Sequence, residues 1–229
     1  MRYYPAFLDV QGAPCVVVGG GSVAWRKAKQ LVACRARVTV VSPEVVRPLA
    51  RLAAARRIAW HRRPFRSGDV SDAFLVVAAT DDEAVNRSVF RRAQRLRRLV
   101  NVVDRPALCS FVLPSIVRRG PLTIAISTGG ISPALSKWLR LDLGARYGAE
   151  FQQVLARMRR WRREVHDQTK SPRRRKRQLE RLLRGELVEA GICPCWGRPP
   201  RRRDMSSLPR GRRLAQLLCR ERKELRIRL

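Results

Sequence analysis

The run Val16-Val17-Val18-Gly19-Gly20-Gly21-Ser22-Val23-Ala24 constrains the fold more than any other part of the chain, because it takes an apolar strand through a glycine turn into a helix. Three β-branched residues favour extended backbone. The positions Ala24, Ala28, Leu31 and Val32 then fall at i, i+4, i+7 and i+8, one face of a helix. A second β-branched run, Val38 to Val41, follows at the distance of the next strand in a βαβ unit. Gly19 permits a sharp turn, Gly21 lets backbone approach an anion with no side chain in the way, and Ala24 keeps the helix close to the sheet. The N–H groups that open the helix face that anion. Glycine clusters mark many ordinary turns. A strand before and a helix after make this one the fingerprint of a site for the pyrophosphate of a dinucleotide.

One element of that fingerprint is missing. The acidic residue expected about 20 residues past the turn, where it would hold a ribose diol, would stand near Val41 or Ser42. Glu44 lies slightly further and is the available substitute. Arg47 and Arg51 nearby leave NADP open, so the sequence favours NAD as cofactor without excluding its phosphorylated form.

Strands are expected near 14–18, 37–41, 57–61, 74–78, 99–103, 110–113 and 122–127, and helices near 22–34, 44–55 and 82–98. Strands alternating with helices predict an α/β fold, a Rossmann-like and mostly parallel sheet covered on both faces. The helix at 82–98 carries Val85, Val89, Ala93 and Leu96 on one side and Arg87, Arg91, Arg95 and Arg98 on the other, the pattern of an outer helix. From Pro114 the grammar changes to one strand, a Thr128-Gly129-Gly130 turn, and a helix started by Ser132-Pro133. The next helix places Phe151, Val154, Leu155, Met158, Trp161 and Val165 on one face, a stripe that calls for a partner helix, expected from a second subunit. Leu179, Leu182, Leu183 and Leu187 suit a further amphipathic helix. The divisions expected are 1–113 for the nucleotide-binding domain, 114–150 for a small α+β dimerisation and substrate region, 151–192 for a helical segment, and 193–229 for a basic tail on which no structure is forced.

The formal charge is +32. Residues 1–150 hold 25 Lys+Arg against 10 Asp+Glu, and residues 151–229 hold 25 against 8 in about half the length. Such a surface attracts polyanions of any kind, and a composition-wide preference for arginine explains it as readily as a nucleic-acid site. A nucleotide-sensing module with a nucleic-acid-binding tail is therefore the competing reading, although no aromatic interleaving or nucleic-acid motif supports it. No apolar run approaches the ~18 residues that cross a membrane, and no secretory core precedes Asp9, so a cytoplasmic protein is expected. The six cysteines are scattered as free thiols, and with only His61 and His166 beside Cys193 and Cys195 a metal site lacks ligands.

Ligands of an open parallel sheet sit at the carboxyl ends of its strands. Ala78-Ala79-Thr80-Asp81-Asp82 ends one strand in small residues that admit a cofactor, and either aspartate also suits a helix N-cap. Asn101-Val102-Val103-Asp104 delivers Asp104 to the same edge, where a carboxylate serves as a general base or caps a turn. Ser127, Thr128 and Gly129, with Gly130, form a polar turn suited to an anionic group. No nucleophile and base are paired for hydrolysis.

These motifs in order, together with Arg26-Lys27-Ala28, Asn86, Ser110-Phe111-Val112-Leu113-Pro114-Ser115 and Ile131-Ser132-Pro133-Ala134, resemble the precorrin-2 dehydrogenase/sirohydrochlorin ferrochelatase family, which includes the N-terminal half of bacterial sirohaem synthase. The resemblance covers residues 1 to about 165. It implies NAD-dependent dehydrogenation of precorrin-2, a polycarboxylate tetrapyrrole, with Fe2+ insertion in some members. Asp104 matches the residue tied to both activities. The implied NAD contacts are Gly19, Gly21, Ser22, Val23, Pro43, Glu44 and Thr80, and the implied substrate contacts are Asn101, Ser127, Thr128 and Gly129. A homodimer is implied as well. Thr128 matches a serine that is phosphorylated in some relatives. Residues 170–229 depart from the family in their arginine content.

Overall fold

The computed structural model describes residues 3–190. The expected tail at 193–229, with Cys193 and Cys195, lies outside the described residues. The chain divides into two compact units, one of residues up to Val117 together with Ile124–Ala145, the other of Arg118–Thr123 with the residues from Arg146 on.

In the first unit five strands form one parallel sheet: β1 (Pro14–Val18), β2 (Arg37–Val41), β3 (Ala59–His61), β4 (Leu75–Ala78) and β5 (Leu99–Val102), in the order β3-β2-β1-β4-β5. The register sets Val18 beside both Val41 and Ala78, so three strands end level at the carboxyl edge. Helix α1 (Ser22–Ala33) joins β1 to β2, α2 (Arg47–Ala54) joins β2 to β3, and α3 (Glu83–Arg95) joins β4 to β5. Side chains alternate between faces along each strand. Cys15, Val17, Leu75 and Val77 pack with Ala24, Ala28 and Leu49 in one apolar layer. Val16, Val18, Val76, Ala78, Val100 and Val102 pack with Val89 and Ala93 in the other. Burial on both faces is why these strands read as continuous valine runs.

The expected strand at 110–113 does not form. β5 is the sheet edge, and its outward N–H and C=O groups need partners. Ser110 supplies them at Val100: its backbone N–H donates to the Val100 carbonyl at 2.8 Å, and its Oγ accepts the Val100 N–H at 2.8 Å. Cys109 does the same at Val102 through its thiol. Two residues thus blunt the edge where a sixth strand would have paired. The chain then runs through Pro114 into β6 (Ser115–Arg119), which pairs with β7 (Leu122–Ile126) before α4 (Pro133–Arg146).

The ends of α1, α2 and α3 share a feature. Each closes with a residue at positive φ, Arg35 at 61°, Arg56 at 51° and Arg97 at 52°, followed by a hydrogen bond back across the last turn: Ala36 to Leu31, Arg57 to Leu52, Arg98 to Ala93. Glycine normally fills this position. Arginine there obscures the stop signal, which is why α3 ends at Arg95 rather than at the expected residue 98.

In the second unit, α5 (Glu150–Gln168) packs on α6 (Pro172–Glu189). Val154 and Val165 are buried, and Arg157 pairs with the buried Glu186 at 2.8 Å. The apolar stripe expected to await a second subunit therefore meets a helix of its own chain.

Two substitutions test this packing. Gly20→Ala places a Cβ onto the Glu44 carbonyl; it is expected to lower unfolding free energy by about 2 kcal/mol or more, read as a reduced Tm. Arg97→Gly relieves an exposed left-handed residue and is expected to raise stability by about 0.5–1 kcal/mol in a denaturant titration.

Candidate functional site

The turn between β1 and α1 is shaped by two glycines packed against backbone and a third that is not. A Cβ on Gly19, whose φ is 119°, would overlap the Ala79 carbonyl, and one on Gly20 would overlap that of Glu44. The Gly19 N–H reaches the Val41 carbonyl at 2.9 Å, and the Val46 N–H reaches the Gly20 carbonyl at 2.8 Å. The loops after β1, β2 and β4 are thereby locked together. At Gly21 a Cβ would meet no protein atom within 4 Å. Gly21 is the N-cap of α1, no side chain caps the helix, and no acidic residue stands in its first turn. An uncapped helix start beside a residue whose missing side chain leaves open space fits an anion held by backbone N–H groups.

These loops wall a cleft of about 490 Å3, lined by Gly19 to Val23, Ser42, Glu44 to Val46, and Ala79 to Asp81. Of the residues named from sequence for the cofactor, the cleft gathers Gly19, Gly21, Ser22, Val23, Glu44 and Thr80. Pro43 is exposed and is not among its walls. Ser42, Val45 and Val46 were missed. The signal for Ser42 lay in its place at the end of β2: its hydroxyl donates to the Glu44 carbonyl at 2.6 Å, and the Trp60 indole N–H donates to its carbonyl at 2.9 Å, which shapes the loop that presents Glu44. Thr80 Oγ1 accepts the Asp82 N–H at 2.8 Å, and the buried Asn86 amide donates to the Thr80 carbonyl at 2.8 Å, fixing that wall from behind. Asp82 caps α3 by accepting the Val85 N–H at 3.0 Å, while Asp81 lines the cleft. The two aspartates left open by sequence are thus assigned different jobs.

Asp104 stands two residues past β5, exposed, with φ at 57°. Aspartate tolerates this left-handed region better than most residues. The N–H of Val103 donates to the Ala78 carbonyl at 2.9 Å, which ties the turn to the end of β4, the strand whose next residues wall the cleft. Lys27 of α1 is half-buried; burial foremost, then the neighbouring Arg26, pushes its ammonium below the usual lysine range, and the carboxylate of Asp104 opposes them. A carboxylate, an ammonium and a dinucleotide-sized cleft therefore share one sheet edge.

Of the residues named for substrate, Asn101 is buried, its amide donating to the Phe111 carbonyl at 3.0 Å. It braces the β5 edge and does not line the cleft. Ser127, Thr128 and Gly129 follow β7. Thr128 Oγ1 accepts the Ser132 N–H at 3.2 Å and lies 3.1 Å from both the Ser132 carbonyl and Ser136 Oγ, so this hydroxyl organises the start of α4. Ser127 is exposed, and Gly129 and Gly130 at positive φ leave open space where side chains would be. Among the described residues no group of three or more His, Cys, Asp or Glu is arranged to hold a metal ion, and no helix is long and apolar enough to cross a membrane.

Residues 6–115 match the family described as putative NAD(P)-binding, and residues 119–145 match the one described as sirohaem biosynthesis protein, central. The siroheme synthase of Nitrosospira multiformis is 41% identical over 193 residues, covering 82% of this chain and 41% of the relative. Siroheme synthase 1 of Klebsiella pneumoniae is 41% identical over 188 residues, 82% of this chain and 40% of its own. The chain thus spans about two fifths of the length of these relatives. Among solved structures, SirC, a precorrin-2 dehydrogenase, superposes with a TM-score of 0.70 at 28% identity, covering 82% of this chain and 99% of that one.

Gly21→Val separates ligand space from protein packing. It is expected to leave Tm within about 2 °C, since a Cβ at this position meets no protein atom within 4 Å, and to weaken NAD binding by about tenfold or more in a fluorescence titration.

Proposed function

We propose, from the premise that this chain belongs to the family built of the NAD(P)-binding and central regions of sirohaem-biosynthesis proteins, that it dehydrogenates precorrin-2 to sirohydrochlorin with NAD as oxidant. The observation that carries the reading is the placement of Asp104: a carboxylate held in a left-handed turn at the end of β5, tied through Val103 to the strand whose end walls the dinucleotide cleft.

Dehydrogenation removes two electrons and two hydrogens from the substrate. NAD, when bound, supplies the hydride acceptor. Gly19, Gly21, Ser22 and Val23 hold its pyrophosphate by backbone, Glu44 together with the loop at Pro43 meets its ribose, and Thr80 borders it from β4. Asp104 accepts the departing proton as a carboxylate general base. The Lys27 ammonium stands at the same edge. The turn at Ser127, Thr128 and Gly129 offers hydroxyl and backbone donors to a substrate carboxylate, with Asn101 acting from beneath through the β5 edge.

The substrate carries eight carboxylates, and a chain of formal charge +32 raises its encounter rate. The reading extends to insertion of Fe2+, as substrate, into sirohydrochlorin, Asp104 receiving the protons that leave the pyrrole nitrogens. We assign the dimer interface to α4 and the turn before it, where Ile131, Leu135, Trp138 and Leu141 are 89%, 47%, 58% and 55% exposed, too apolar a row for solvent. Among the described residues Cys15, Cys34 and Cys109 form no disulfide, in keeping with a reducing, cytoplasmic setting.

Anaerobic precorrin-2 with NAD is expected to yield the sirohydrochlorin spectrum. Asp104→Asn is expected to lower kcat by about 100-fold or more while the Kd for NAD changes less than about twofold. Turnover at the unmutated rate in that variant would remove Asp104 from the proton-accepting role.

A further inference from the structure

The segment between β5 and β6 contains a thiol that the proposed reaction does not use. Cys109 Sγ lies 3.2 Å from the Val102 carbonyl and 3.2 Å from the Arg105 carbonyl, accepts the Val102 N–H at 3.3 Å, and is 3.5 Å from the Asn101 amide nitrogen. A thiol has one proton and sulfur lone pairs, so it donates to one carbonyl at a time and accepts the N–H groups. Val102 immediately precedes the turn that carries Asp104, and Arg105 immediately follows Asp104. One side chain therefore bridges the two backbone positions that flank it.

The rest of the turn shows why that bridge matters. Asp104 occupies left-handed backbone, a conformation an L residue keeps only where its surroundings determine it. Its own loop contributes the Arg105 N–H to the Val102 carbonyl, a long 3.3 Å, and the Val103 N–H to Ala78. A 3-10 turn at Pro106–Leu108 brings the chain back to β5, with the Leu108 N–H on the Arg105 carbonyl at 2.9 Å. Ser110 then fastens the far end at Val100, two residues below the turn. Among the described residues, Cys109 is the side chain that reaches the carbonyls of both Val102 and Arg105, on the two sides of Asp104.

We propose that Cys109 is a positioning residue for Asp104, its thiol clasping the left-handed turn against the free edge of β5. The proposal rests on the reading of Asp104 as the proton acceptor for its effect on turnover, and on the hydrogen-bond geometry alone for its effect on the loop. The thiol touches neither substrate nor cofactor, and it acts by holding the carboxylate where a displacement of about 1 Å costs about 100-fold in rate.

Two variants at one position separate clasp from bulk. Cys109→Val fills the thiol's space with a side chain about one methyl group larger and removes every polar contact; Cys109→Ser restores a donor and acceptor. Steady-state kinetics should show kcat reduced by about 10- to 100-fold in Cys109→Val, with KM and Kd for NAD within about twofold, and recovery to within about threefold of the parent in Cys109→Ser. Hydrogen exchange on the full chain supplies a readout independent of the substrate. The Val102 amide should exchange about tenfold or more faster in Cys109→Val and near the parental rate in Cys109→Ser, while the Val100 amide, held by Ser110, stays protected in both. Unchanged Val102 exchange in Cys109→Val overturns the clasp. So does a kcat equal to the parent, or an equal loss of kcat and NAD affinity in both variants. If the unmutated protein does not oxidise precorrin-2, the functional reading falls, and the exchange data still decide whether the turn depends on the thiol.

Discussion

The first unit depends on a close approach between three loops at the carboxyl edge of the sheet. Gly19 lies against the backbone of Ala79 and Gly20 against that of Glu44, and the hydrogen bonds from Gly19 to Val41 and from Val46 to Gly20 run across the same junction. Neither approach is compatible with a side chain. Because these contacts are backbone to backbone, they fix the cleft walls independently of which side chains line them. The consequence for function is direct: the helix start at Gly21 is left uncapped and open on a scaffold too tight to collapse into the space. Rigidity is supplied by two glycines and vacancy by the third, within three consecutive residues.

Much of this was legible because the strands are buried on both faces. Runs such as Val16 to Val18 and Val38 to Val41 admit few other placements, and the strand, glycine turn and helix in succession identify the cofactor end of the sheet. The misreadings have a common cause. Sequence periodicity reports which side chains are apolar and is silent about how a backbone edge finds partners. Phe111-Val112-Leu113 looks like a strand, yet Ser110 and Cys109 had already used the edge that such a strand would need. The stripe on α5, expected to meet a second subunit, packs on α6 of its own chain, whose leucines were visible in the sequence. Asn101, polar and at a strand end, was expected to contact substrate; the structure shows its amide donating to the Phe111 carbonyl. For the β5 edge and for Asn101 the partner lay in a hydrogen-bond pattern that no spacing rule encodes.

The β2 side of the cleft shows how a departure from a motif is accommodated. Without an acidic residue closing β2, the chain inserts Ser42-Pro43-Glu44 before α2, which therefore begins at Arg47, three residues later than periodicity suggested. Ser42 turns the loop by donating to the Glu44 carbonyl, and Trp60 of the neighbouring strand pins Ser42 by its own carbonyl. The carbonyl of Glu44 packs on Gly20 while its side chain is exposed beside the cleft. One loop thus completes the glycine junction and brings a carboxylate to the cleft, so moving that carboxylate means changing the packing of the turn as well.

The arginines argue for a particular view of the charge. Arg35, Arg56 and Arg97 occupy exposed left-handed positions at helix ends, where glycine avoids the conformational penalty and where nothing beyond a favourable interaction with the helix dipole recommends a cation. A residue type that fills three strained positions of this kind is being used wherever solvent allows. The +32 formal charge is then a property of the whole surface, and specificity has to come from the few charged groups whose setting is not generic. At the sheet edge these include Asp104, in a left-handed turn held by the surrounding hydrogen bonds, and Lys27, half-buried on the helix whose uncapped start opens onto the cleft. A polyanion drawn in by the general field meets there the Lys27 ammonium together with the carboxylates of Asp104, Glu44 and Asp81.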